Sequence, residues 1–132
     1  MATAATLNKE QKRHLLLTML ESRLGDLREE SLNRQGKGHF HVSGRGHEAL
    51  AAIGAQLRHS DFIVPYYRDR GLCMGRGLTT RYLALEYFAK RDSASRGRMM
   101  PSHFCSREHN IVSVPTPTGS QLMPACGIAW GL

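Results

Sequence analysis

Residues 64–77 read VPYYRDRGLCMGRG, and the interpretation of the chain turns on them. Two tyrosines, Tyr66 and Tyr67, run into Arg68-Asp69-Arg70, with Gly71, Gly75 and Gly77 close behind. A core segment does not carry three charged residues in a row, and a plain solvent loop has no need of paired tyrosines. Pro65 disfavours helix at the residue before it, so a connector ends here and a short helix is expected from near Tyr67 to Gly75. Arg68 offers a planar fork of donors and Tyr67 a hydroxyl next to it. Near a helix start that pair suits a phosphate or diphosphate. The same residues equally suit an Arg–Asp ion pair with the tyrosines packed on a core.

The rest of the chain sets the bounds. At 132 residues it is the size of one domain with one core. Its longest apolar run in the front half, HLLLTML, is too short to span a bilayer. The N-terminus MATAATLNKEQKRH has no apolar segment of the secretory kind. Its Ala and Thr are shared with transit peptides, but its single Arg and the amphipathic pattern that follows read as mature, cytoplasmic sequence. Three cysteines, Cys73, Cys105 and Cys126, with no CxxC argue against a disulfide framework and a structural zinc site. The net charge of +7 fits nucleic acid, a phosphorylated ligand or an acidic partner surface. The basic residues are mainly dispersed arginines near Gly and Ser (Arg45, Arg58, Arg68, Arg70, Arg76, Arg98 among them), which suits discrete phosphate or carboxylate contacts.

Hydrophobic spacing predicts a long helix over 7–35. Thr6 or Asn8 caps it, Gly36 stops it, and Leu16, Met19, Leu20, Leu24, Leu27 and Leu32 form its core-facing stripe. Lys12, Arg23, Asp26, Glu29 and Glu30 are expected on the opposite, solvent face. A Gly-rich loop, 35–46, leads into a second, buried helix at 47–57. A third helix is expected at 79–91, capped by Thr79 or Thr80. Residues 92–110 form a long polar segment of the sort that tends to carry function. Residues 111–114 are β-like, and an apolar helix starts near Ser120 with Pro124 in its first turn. That helix runs to Leu132 with no cap or polar tail, which reads as a fragment of a larger protein.

Motifs for other chemistries are weak. His39, His41 and His47 cluster on the Gly-rich loop, but a metal site needs more ligands than His-x-His and Glu48 supply, so a loop lining a polar cleft is the better reading. No GxGxxG follows a strand and no GxxxxGK[ST] occurs. Neither a tight helix pair nor a base-stacking arrangement of aromatics is present, so nucleic acid is not the expected partner. Cys105 lies near His103 and His109 in sequence, which says little about a nucleophile and its base.

Several segments, taken in order, change the balance. Gly46-His47-Glu48-Ala49, Asp61 with Tyr67-Arg68-Asp69-Arg70-Gly71, Gly97-Arg98 with His103, and Gln121, Pro124, Ala125, Gly127 and Ala129 follow one another across nearly all of the chain after residue 10. In this order they resemble the α-type E1 component of thiamine-diphosphate-dependent 2-oxo-acid dehydrogenases, with Pro124 displaced by one place. The segment RGRMMPSHFCSREHN (96–110) resembles the branched-chain enzymes more than the pyruvate ones.

The resemblance implies an α/β class: a thiamine-diphosphate-binding α/β/α layered fold of which this chain is the mainly helical N-terminal part. Residues 1–35 would be a helical arm, and 36–132 the truncated N-terminal part of the cofactor domain. It implies oxidative decarboxylation of a 2-oxo acid, branched-chain by preference, with reductive acylation of a lipoyl group. Tyr67 and Arg68 match the pair that holds the diphosphate. Thr116 and Thr118 match the turn whose main chain meets the aminopyrimidine, and His103 matches an active-site histidine. The cofactors implied are thiamine diphosphate and Mg2+, whose ligands lie beyond this chain, so no metal residue is expected within it. The partners implied are an E1 β-type subunit or fused β region and the lipoyl domain of an E2 acyltransferase, in an α2β2 or fused-dimer assembly without nucleic acid or membrane. A pyruvate or acetoin dehydrogenase E1 is the alternative. A non-enzymatic basic helical binding module is the second.

Overall fold

The computed structural model describes residues 6–113 and 115–132. Five α-helices dominate: α1 (Lys9–Arg34), α2 (Ala51–Gln56), α3 (Arg70–Arg76), α4 (Thr80–Tyr87) and α5 (Leu122–Gly131), with a 3₁₀ turn at Glu48–Leu50 before α2. Among the described residues β-pairing is limited to isolated bridges, Ile63 to Ile111 in parallel and Ser106 to Ile111 antiparallel. The part seen is therefore mainly helical. The β-like run at 111–114 reduces to Ile111, and Val114 lies outside the described residues.

The ends of α1 follow from its caps. The Asn8 side chain accepts from the Gln11 N–H, and Gln11 returns a bond to the Asn8 N–H, both at 2.9 Å. Gly36 takes φ +69° and ends the helix. Lys12 and Arg23 are exposed as expected, but the buried face is not the expected one. Leu15, Thr18, Ser22, Asp26 and Glu29 are buried, at three- and four-residue steps. Leu16, Leu17, Leu20, Leu24 and Leu27 stand 40–62% exposed. The polar side is covered because Asp26 and Glu29 meet donors on the loop before the 3₁₀ turn and on α3. The leucines meet no such surface.

The expected helix at 47–57 is broken into the 3₁₀ turn and α2, of which only Ala51 and Gly54 are buried. α2 lies flat against α3 through glycines on both sides. A Cβ on Gly54 would fall 2.8 Å from the Arg76 nitrogen, and one on Gly75 would fall 2.8 Å from Ala51 Cα, with carbonyl oxygens closer still in both cases. Backbone cannot yield as a side-chain tip can, so Gly75→Ala is expected to cost about 3 kcal/mol through forced separation of the two helices. A urea midpoint unchanged by that substitution would contradict the contact.

Arg76 locks the same pair. Its guanidinium donates to the carbonyls of Leu57, Arg58, His59, Asp61 and His109 at 2.6–3.2 Å. This arginine, read above as suited to an anionic ligand, is consumed by main-chain oxygens at the end of α2 and in the connector. The apolar core lies behind it: Ile63, Cys73, Met74, Leu78, Leu83, Phe104 and Ile111, with Leu57, Leu72 and Tyr82 at its edge.

α4 begins at Thr79, whose hydroxyl accepts from the Tyr82 N–H at 3.1 Å. It ends earlier than the expected residue 91, because Ala89 turns to φ +48°. From its buried face Glu86 accepts from the Ser95 N–H (2.9 Å) and hydroxyl (2.6 Å). The Tyr82 hydroxyl donates to the Cys105 carbonyl, and burial first of all pushes that phenol well above its ordinary range. These bonds hold the irregular segment 92–110 against the core and so fix where Ser102, His103 and Phe104 stand.

Candidate functional site

The stretch 64–77 resolves into a turn and a helix with separated charges. Asp69 does not pair with either neighbouring arginine. Its carboxylate accepts from the Tyr66 N–H at 2.9 Å, the Asp69 N–H returns to the Tyr66 carbonyl at 2.9 Å, and its other oxygen lies 3.8 Å from His47. Arg70 turns inward to α1, where it meets Glu29 at 2.7 Å in a buried pair. Arg68 turns the other way and donates to the Ser43 carbonyl. The helix starts at Arg70, three residues later than expected, because the 66–69 turn precedes it.

The tyrosines are not core residues. Tyr66 and Tyr67 are partly exposed, with ring centroids 3.9 Å apart, and the Arg68 guanidinium lies 5.3 Å from the Tyr67 ring centre. The Tyr66 hydroxyl is held below its ordinary range, most of all by the Tyr67 hydroxyl, then by Thr118 and Arg68, against the opposing effect of burial. The Tyr67 and Thr118 hydroxyls and the Arg68 guanidinium thus act on the Tyr66 hydroxyl, while the Asp69 carboxylate accepts from the Tyr66 N–H.

Beside this group runs a narrow crevice with room for little more than one water molecule, lined by Pro65, Tyr66, Tyr67, Ser102, His103, Phe104, Pro115 and Gln121. His103 bridges its wall. Its Nδ1 lies 3.1 Å from the Pro101 carbonyl and its Nε2 lies 2.7 Å from the Thr116 hydroxyl. A carbonyl only accepts, so in the neutral ring Nδ1 carries the proton and Nε2 accepts from Thr116. The turn 115–120 is tied by the Ser120 hydroxyl, which donates to the Pro115 carbonyl at 3.0 Å.

The five residues singled out in the sequence, Tyr67, Arg68, His103, Thr116 and Thr118, therefore lie in one neighbourhood. The sequence reading named Tyr66 as a puzzle but assigned it no role, and did not single out Ser102 or Phe104. Adjacency to Tyr67 was the only signal for Tyr66; the other two carry none. The histidines of the Gly-rich loop do not converge: His41 faces Asp26 at 3.9 Å and His47 faces Asp69. Among the described residues no group of three or more His, Cys, Asp or Glu could hold a metal ion. Also among them, no helix is long and apolar enough to cross a membrane.

A helical body that presents an arginine and clustered hydroxyls on the rim of a histidine-walled crevice is the arrangement the geometry defines. The chain belongs to the dehydrogenase E1 component family, whose model matches residues 17–132. It is 42% identical over 116 residues to the 2-oxoisovalerate dehydrogenase subunit alpha of Bacillus subtilis (strain 168), covering 85% of this chain and 35% of that one. It is 32% identical over 124 residues to the mitochondrial 2-oxoisovalerate dehydrogenase subunit alpha of Dictyostelium discoideum (93% and 28%). To the mitochondrial subunit alpha 1 of Arabidopsis thaliana it is 33% identical over 100 residues (75% and 21%). The chain spans about a third or less of the length of these relatives.

Proposed function

We propose that this chain is the N-terminal part of an α-type E1 component acting on a branched-chain 2-oxo acid. In this reading residues 1–35 are its helical arm, and 36–132 open a thiamine-diphosphate-binding α/β/α domain. One observation carries it. The Arg68 guanidinium stands beside the Tyr66 and Tyr67 rings while the Asp69 carboxylate is held by the Tyr66 N–H, which leaves the donor chemistry a diphosphate demands. When bound, thiamine diphosphate supplies the carbanion chemistry that decarboxylates a 2-oxo acid and passes its acyl group to a lipoyl domain.

The chain's own residues have separate tasks. Arg68 and Tyr67 bind the diphosphate. Thr116 and Thr118, in the turn 115–120, line the approach to the aminopyrimidine. His103 stands at the crevice wall with Nε2, the unprotonated nitrogen of the neutral ring, accepting from the Thr116 hydroxyl, and Nε2 is the atom at which the ring would take up a proton. Mg2+ ligands and the β-type partner come from outside these residues, as does the E2 acyltransferase. The names of these relatives, all 2-oxoisovalerate dehydrogenase alpha subunits, support the branched-chain preference. A crystal structure of the assembled holoenzyme with thiamine diphosphate tests the reading. It is expected to place Arg68 and Tyr67 in hydrogen-bonding reach of diphosphate oxygens, and either residue pointing away overturns that residue's role.

A further inference from the structure

Arg68 does not stand alone at the rim. The carbonyl it grips belongs to Ser43, and Ser43 is itself held from α1. Asp26, only 3% exposed, accepts from the Ser43 hydroxyl on Oδ2 and from the Gly44 N–H on Oδ1, both at 2.8 Å. Arg45 Nε lies 3.5 Å from the same carboxylate and His41 Nε2 3.9 Å. Two charge-assisted bonds from one buried side chain onto consecutive residues leave that piece of loop a single placement. Gly44 closes it further, since a Cβ there would meet the Arg68 carbonyl oxygen at 2.9 Å.

From this we infer that Asp26 is the positioning residue for the diphosphate-binding arginine: α1 sets the direction of the Arg68 guanidinium through the Ser43 main chain. The inference rests on the function proposed above and assigns that site's orientation to a helix that touches no ligand. One N–H group of Arg68 is spent on Ser43 O, which fixes the plane of the fork and leaves its remaining N–H groups to face an anion. A freely swinging arginine would pay rotamer entropy on each binding event.

The test uses the assembled holoenzyme and thiamine diphosphate, with Kd read from the quenching of intrinsic fluorescence and thermal stability read in parallel. Asp26→Asn presents an amide N–H₂ to one of two donors and so breaks half of the hold. It is expected to weaken cofactor binding about tenfold, by the loss of one charge-assisted bond's worth of orientation. In a double-mutant cycle with Arg68→Ala the two losses are expected not to add, because Asp26 acts only through Arg68. If Asp26→Asn does not assemble, Ser43→Ala, which keeps the carbonyl but drops the hydroxyl, is expected to give a smaller loss with the same non-additivity. Arg68→Ala weakening the cofactor while the Asp26 or Ser43 variant leaves Kd unchanged, or adds fully to it, overturns the positioning role and leaves the proposed function standing. An Arg68→Ala Kd equal to the parent's overturns both.

Discussion

In the holoenzyme, Arg68→Ala is expected to raise the thiamine diphosphate concentration for half-occupancy by about a hundredfold, the loss of more than one charge-assisted bond to phosphate. Arg68 is the guanidinium that lies over the Tyr67 ring, so its removal takes that charge out of the hydroxyl cluster. Arg68→Lys restores the charge but not the fork. An ammonium that reaches the Ser43 carbonyl has no planar second edge for the ligand, so an intermediate Kd is expected. Equilibrium titration of the cofactor-free enzyme checks both. A lysine variant as tight as the parent would mean that charge alone matters at this position and that its tether to Ser43 does not.

The largest stability effect is expected at Glu29. Its pair with Arg70 is buried on both sides, at 2.7 Å to Nη1, and Arg70 Nε and Nη2 have no hydrogen-bond partner among the described residues. Glu29→Ala strands a guanidinium that cannot shed its proton, and a loss of about 3–5 kcal/mol is expected, large beside the stability of a typical domain. Arg70→Met is expected to cost less, because the carboxyl left behind can take up a proton. Burial already pushes Glu29 above its ordinary range, with Arg70 pulling in the opposite direction. A carboxyl that is harder to ionise in the folded state favours folding at low pH. Its contribution is full below the ordinary carboxylate range and is lost as pH rises through the elevated folded value. The urea midpoint of the parent, compared with Glu29→Gln between about pH 4 and 7, should show that decline in the parent only. Parallel curves would mean that Glu29 titrates normally.

The same cluster shows what was legible in the sequence. The extent of α1 was, because caps are local: Asn8, Gln11 and Gly36 act within one turn of themselves. Its orientation was not. Leu16, Leu20, Leu24 and Leu27 repeat at helical steps, but so do Leu15, Thr18, Ser22, Asp26 and Glu29. Periodicity finds a face without saying which one is covered. What decided the matter was the meeting of Asp26 with Ser43 and of Glu29 with Arg70, contacts 17 and 41 residues apart with no spacing rule. For the site, residue type drew attention to Tyr67 and Arg68 but left a phosphate site and an Arg–Asp ion pair equally open, and the order of motifs along the chain tipped the reading. The supporting layer behind them is made of common residues in unremarkable order.

Arg76 carries a last consequence. Together with Arg70 it contributes to the formal charge of +7, yet the guanidinium of one is spent on main-chain oxygens and that of the other faces a buried carboxylate. Two of the 18 Lys and Arg side chains that suggest attraction for polyanions are therefore internal scaffolding. Salt screens exposed charges over about 10 Å at 0.1 M and reaches such enclosed contacts far less. Raising the ionic strength should accordingly slow the capture of a phosphorylated ligand well before it loosens the helices that present Arg68.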